Sequence, residues 1–172
     1  LSLHDALPIC HGEIYPCLFP LSIAVDGILN EPEWSEAAWH RPTMFFGSRR
    51  ESKDDFDYRF ALVADRDNLY CAFEVFDDIV FTGPPEAWHV QDGFELYLDA
   101  NLQGGIAYDD DVQIAVIAQA IQNGNAQTDL HGSGFSSFKE KIVISMQRTD
   151  RGYRGELSIP LENSRFSIQP EE

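Results

Sequence analysis

Trp88, Asp92, Glu95, Tyr97 and Asp99 fall within one short stretch, Trp88 to Asp99 (WHVQDGFELYLD). Phe94, Leu96 and Leu98 alternate there with Glu95, Tyr97 and Asp99. That period describes a strand with one dry face. The other face collects a phenol and carboxylates, with an indole and Asp92 just upstream. Two chemistries fit such a set. A sugar ring offers an apolar C–H face that stacks on an indole and hydroxyls that need polar partners. In that reading Trp88 is the platform, and Asp92 and Glu95 supply acceptors. The plain alternative folds Trp88 onto the edge of the core, where indoles are mostly buried. The second chemistry pairs Glu95 with Asp99 as the two carboxylates of a glycoside hydrolase. Any residues four apart on a strand share a face, and a chain this acidic produces such pairs by chance. An enzyme is therefore not expected.

Other catalytic signatures are missing from the sequence. The five histidines are His4, His11, His40, His89 and His131. None stands in a zinc spacing such as His-Glu-x-x-His. There is no Gly-x-Ser-x-Gly elbow and no phosphate-binding loop. Acidic clusters stand at Asp77–Asp78, at Asp99-x-Asn101 and at Asp109–Asp111. Solvated loops account for most clusters of this kind. Calcium is the alternative, because it takes hard oxygen ligands from loops. A structural calcium ion is expected on these grounds, with Asp77, Asp78 and Asp99 as candidate ligands, although no EF-hand spacing is present.

The formal net charge is -17, from 29 acidic and 12 basic residues among 172. Such a surface repels phosphate backbones and anionic lipid, so nucleic acid and membrane are poor partners. Neutral ligands and cations remain. No stretch is long and apolar enough to span a bilayer. A hydrophobic fraction of 44% with 12% aromatics supports a sizeable core. Of the three cysteines, Cys71 keeps phase with Leu69, Phe73 and Val75 and reads as a small buried hydrophobe. Cys10 and Cys17 can pair in a secreted protein but do not make a disulfide framework.

The elements that would position these residues are short and mostly extended. Ile23 to Gly27 reads as a strand ending in a turn. Asn30 reads as a helix cap ahead of Pro32, Glu33 and Trp34, which gives a turn or two of helix stopped by Arg41-Pro42. Trp34 and Trp39 flank it and read as core. Tyr58–Ala64 and Leu69–Phe76 form a hairpin around Asp65–Asn68. Phe94–Asp99, Val112–Ala118, Lys141–Gln147 and Tyr153–Ile159 are further strands. Gln119 to Gly134 is polar, Gly-rich and loop-like. This pattern predicts an all-β fold, an antiparallel jelly-roll-like β-sandwich with one short helical turn near the N-terminus. Leu1 to Ile9 matches the in-frame translation of a common sequencing adapter and is set apart from the fold. Residues 10–22 are an irregular, proline-dotted lead-in, and 23–172 form the sandwich. Terminal strands are expected beyond Glu172.

Several segments resemble family 9 carbohydrate-binding modules, within the DOMON-like β-sandwich superfamily, in order and spacing. Val25 to Trp34 (VDGILNEPEW) is similar to the family's opening "I-D-G-x-L-D-E-x-x-W". Asp67 to Asp78 resembles its "D-x-N-L-Y-V-A-F-x-V-x-D" hairpin, and Trp88 to Asp99 its "W-x-x-D-S-V-E-I-F-I-D". Tyr108 to Gln113 is similar to the "D-D-x-Q-F" strand entry, and Gly155 to Pro160 to the late "E-x-x-I-P" strand. The resemblance implies a β-sandwich, calcium-stabilised in some members, that binds sugar without catalysis inside a larger secreted polysaccharide-degrading protein. It implies an extracellular, periplasmic or cell-surface location. It places Trp88 as one wall of an aromatic clamp and Glu95 as a hydroxyl acceptor, with Tyr97 and Gln113 lining the same surface. Two positions depart from it: Ala115 stands where the family carries a sugar-binding arginine, and the opposite clamp tryptophan would lie beyond Glu172. The competing expectation is a structural module that packs Trp88 against a neighbouring domain.

Overall fold

The computed structural model of the protein describes residues 23–41, 56–83, 90–98, 112–117, 130–134 and 136–161. Among them are one helix, α1 (Pro32–Glu36), and the strands β1 (Phe56–Ala64), β2 (Asn68–Asp77), β3 (Gly93–Leu98), β4 (Val112–Ile117), β5 (Leu130–Ser133), β6 (Val143–Thr149) and β7 (Gly152–Pro160). A 3-10 turn at Lys139–Lys141 leads into β6. All pairings are antiparallel. One sheet has the order β1-β2-β7-β6 and the other β3-β4-β5. The expected all-β sandwich is the observed fold.

The two sheets meet through the apolar phase of each strand. Phe60, Cys71, Phe73, Leu157 and Ile159 come from the four-stranded sheet, and Phe94, Leu96, Ile114 and Val116 from the three-stranded one. Phe73 and Phe94 stack across the gap with ring centroids 4.2 Å apart. Tyr153 drives its hydroxyl through the same layer and donates to Gly93 O at 3.0 Å. That bond satisfies a polar tip that burial would otherwise leave costly. Gly155 leaves room for the Phe73 ring, since a Cβ there would stand 2.6 Å from Phe73 Cζ.

The four-stranded sheet is buried on its outer face as well. Ala61, Ala72 and Glu156 lie in one row across β1, β2 and β7. The two alanines leave a depression, and Trp34 fills it as part of a second apolar cluster with Tyr70. The indole Nε1 donates to Glu156 Oε1 at 2.6 Å. Glu156 Oε2 accepts from Gly27 N at 2.9 Å and from Asp26 N at 3.2 Å. Glu156 is fully buried. Gly27 can face it because its φ of 82° suits a residue without Cβ. Residues 37–41 then dock on β1 through a bridge between His40 and Phe60.

Four local expectations are corrected. Ile23 to Gly27 is not a strand, because its backbone groups go to Glu31 Oε1 and Glu156 rather than to a ladder. The helix N-cap is Glu31, not Asn30, and no side chain caps it. The helix also stops well before Arg41, since Ala37 is already extended. Finally, the region read as one loop through Gly134 contains β5, whose Gly132 (φ 117°) comes too close to Gln113 O for any side chain. Cys71 is buried as expected, and its thiol is pushed far above its ordinary value by burial. Cys10 and Cys17 lie outside the described residues.

Glu156→Gln should destabilise the protein by about 1–3 kcal/mol, because an amide NH2 must then face an N–H donor in a dry site. Urea unfolding reads this directly, and an unchanged midpoint would contradict the anchoring role of the carboxylate.

Candidate functional site

The strand that raised the opening chemistry is β3. Phe94, Leu96 and Leu98 point inward, and Glu95 and Tyr97 stand exposed on the outer face. The register brings β4 residues beside them: Tyr97 pairs with Gln113, and Glu95 pairs with Ala115. Cross-strand partners on one face lie within side-chain reach, and so does the diagonal from Gln113 to Glu95.

The side chains use that reach. Tyr97 Oη donates to Glu95 Oε2 at 2.6 Å. Gln113 Nε2 donates to Glu95 Oε2 at 3.0 Å and to Tyr97 Oη at 2.8 Å. The phenol therefore gives its proton to the carboxylate and receives one from the amide. Its pKa is pushed up to about 12, first by burial, then by the bond to Glu95 and that group's charge, with the Gln113 bond working the other way. Glu95 Oε2 is thus held in place by two donors, and no hydrogen bond among the described residues reaches Oε1. The result is an exposed carboxylate held in place through one of its two oxygens. Its described neighbours are a phenol and an amide, not a second carboxylate.

Asp92 is held against Phe81. Its Oδ2 accepts from Phe81 N at 2.5 Å, and its own N–H donates to Phe81 O at 3.1 Å. Gln91 Oε1 accepts from Gly83 N at 3.2 Å. These bonds pinch together both ends of the segment that carries Trp88. Burial raises the Asp92 carboxyl above its ordinary value, offset by the Phe81 bond and by Arg148. Trp88 and Asp99 themselves lie outside the described residues.

Of the expected calcium ligands, Asp77 accepts from Ile79 N at 3.0 Å, and Asp78 is exposed. Among the described residues, the acidic oxygens that converge belong elsewhere. Asp26, Glu31 and Glu156 each bring one to within 4.8 Å of the others. This donor set is all hard oxygen, as calcium requires, and Glu31 Oε2 is buried without a hydrogen-bond partner.

His131, which stands in no zinc spacing, takes a place that the sequence reading did not give it. It pairs with Ala115 on β5. Glu95, Ala115 and His131 therefore form one row across the outer face of the three-stranded sheet. A polar loop in sequence gave no sign of this, because the signal is the register and not the composition.

Comparisons with known proteins bear on this face. The family model described as "Carbohydrate family 9 binding domain-like" matches residues 25–171. A family 9 carbohydrate-binding module from Caldicellulosiruptor kristjanssonii, solved in complex with cellotriose, superposes with a TM-score of 0.64 at 21% identity over 87% of this chain. The structure of such a module from the same organism in complex with glucose gives 0.64 at 22% identity over 83%. The chain spans 66% of the length of each. No curated protein matches the sequence.

The Tyr97 phenol holds its proton more tightly when folded, since its pKa rises from 10.0 to about 12. Stability linked to it is complete below pH 10 and lost as pH rises toward 12. Wild type should therefore lose stability relative to Tyr97→Phe across that window in urea titrations. A pH-independent difference would contradict the Tyr97–Glu95 bond.

Proposed function

The chain belongs to the carbohydrate family 9 binding domain-like proteins, and from that membership we propose that it binds an oligo- or polysaccharide on the outer face of β3 and β4. The observation that carries this reading is the exposed Glu95 carboxylate, locked by Tyr97 and Gln113 through Oε2, with no partner at Oε1 among the described residues. Preorganised acceptors spare the ligand the cost of ordering them. Trp88 supplies the stacking surface, and the Phe81–Asp92 bonds hold the base of its segment. The ligand class is plant-type glucan or its chain ends, in keeping with the cellotriose and glucose held by the similar modules.

In this reading the module is non-catalytic. It docks a secreted or surface polysaccharide-degrading protein onto its substrate and is joined to other domains of the same polypeptide. Its place is outside the cell, in the periplasm or on the surface. A structural calcium ion would sit between Asp26, Glu31 and Glu156, where its charge would offset three close carboxylates and tie the amino-terminal segment to β7.

One observation favours a second role beside this one. Ile79, Phe81 and Val90 expose large apolar side chains, at 73%, 56% and 59%. They stand near the pinched base of the Trp88 segment and suit packing against a neighbouring domain.

Calorimetric titration with cellotriose, glucose and xylotriose tests the sugar reading. Saturable heat is expected for the wild type. Glu95→Ala should weaken binding by about tenfold to a hundredfold, the worth of a hydrogen bond to a charged group, and Trp88→Ala should remove it. A folded protein that gives no heat with any of these sugars would move the assignment to the packing module.

A further inference from the structure

The outer face of the four-stranded sheet carries a second row of polar residues that the proposed sugar face does not use. Arg59, Glu74, Arg154 and Gln147 lie directly opposite one another across β1, β2, β7 and β6. This row runs beside the Ala61–Ala72–Glu156 row that seats Trp34. The helix and its flanks bury one row and cover the other only in part, touching it at Arg59, Arg154 and Gln147. The result is a cleft of about 450 Å³ whose lining includes Glu31, Trp34, Trp39, Arg59, Glu74 and Arg154.

The chemistry of that cleft is specific. Arg59 Nε bonds to Glu74 Oε2, and the Arg59 guanidinium lies over the Trp39 ring with its carbon 4.3 Å from the centroid. Arg154 Nε donates to Gly27 O at 3.1 Å. Both guanidinium groups are thus oriented through Nε, and among the described residues no hydrogen bond engages their terminal nitrogens. The two arginines sit two strand spacings apart, about 10 Å between backbones, with Glu74 between them. They are the cations of a cleft whose lining also holds Glu31 and Glu74. A guanidinium fork is the group best matched to a carboxylate. Glu74 accepts from hydroxyls. A ligand that satisfies both sets bears one carboxylate among several hydroxyl donors.

We propose that this cleft is a second binding site, on the opposite side of the sandwich from Glu95, for a sugar carrying a carboxylate: a uronic acid unit of an acidic polysaccharide. Arg59 and Arg154 grip the carboxylate, Glu74 takes hydroxyl protons, and Trp39 both borders the ring and fixes Arg59 by stacking. A module with ligand sites on both faces can hold two glycan chains at once, which raises avidity without any new contact at either face.

The site stands on residues apart from Glu95, Tyr97 and Gln113, so it survives or fails independently of the first face. The test is an NMR titration of the full chain with digalacturonate and, separately, with cellobiose. The readouts are the Nε–H signals of Arg59 and Arg154 and the indole N–H of Trp39. Saturable shifts with digalacturonate, absent with cellobiose and reduced by salt, are the expected result. Arg59→Gln should weaken digalacturonate binding by about tenfold or more. If that variant does not fold, the wild-type titration decides alone. Digalacturonate that leaves these three signals unmoved, that shifts only Tyr97 and Gln113, or that is matched by cellobiose would overturn the proposal.

Discussion

The Glu156 carboxylate is buried without a counter-cation among its described hydrogen-bond partners, and the architecture around it follows from that constraint. A buried charge is tolerable only where hydrogen bonds replace lost water. Here the donors are the Trp34 indole and the backbone N–H groups of Asp26 and Gly27. All come from the amino-terminal segment, which must therefore lie across the sheet. Burial raises the carboxyl above its ordinary value, the nearby Glu31 adds to this, and the bonds from Trp34, Gly27 and Asp26 pull it back down. One acidic side chain thus sets where the helix sits, why alanines occupy the row beneath Trp34, and why a cleft remains over the next row.

With that face occupied, the other outer face is the one where β3 and β4 present polar side chains. The sheets are tied by the Phe73–Phe94 stack and the Tyr153–Gly93 bond, so β3 is anchored from behind by its apolar phase. Glu95 and Tyr97 project from a strand that cannot slip by one residue without burying both. A rigid strand and a three-group hydrogen-bond network then do the same thing at two scales. Each removes freedom from the acceptor before a ligand arrives. The Phe81–Asp92 bonds extend this logic to the two ends of the segment that carries Trp88.

Much of this was readable in the chain. The alternation of Phe94 to Leu98, and of Leu69 to Phe76, fixes strands and their dry faces without further information. Glu95, Tyr97 and Gln113 were legible as candidates because two lie in phase on one strand and the third sits in a motif that resembles the family's. Their mutual bonds were not legible, since pairing Tyr97 with Gln113 requires the register between β3 and β4 across a long connection. The same limit hid the Arg59–Glu74–Arg154 row and His131. Ile23 to Gly27 misled for another reason. Its apolar alternation is real, but its backbone partners are the side chains of Glu31 and Glu156, which no local pattern can announce. Asp92 was legible as a candidate by position, but the bond from the Phe81 backbone to its Oδ2 was not.

The central claim is that sugar binds at the outer face of β3 and β4 through Glu95. The crystal structure of the protein with cellotriose tests it most directly. The account predicts a sugar ring over that face, with a hydroxyl in hydrogen-bond contact with Glu95 Oε1 and the Tyr97–Glu95–Gln113 network unchanged. A cellotriose bound elsewhere on the sandwich, with Glu95 Oε1 left to solvent, would contradict it.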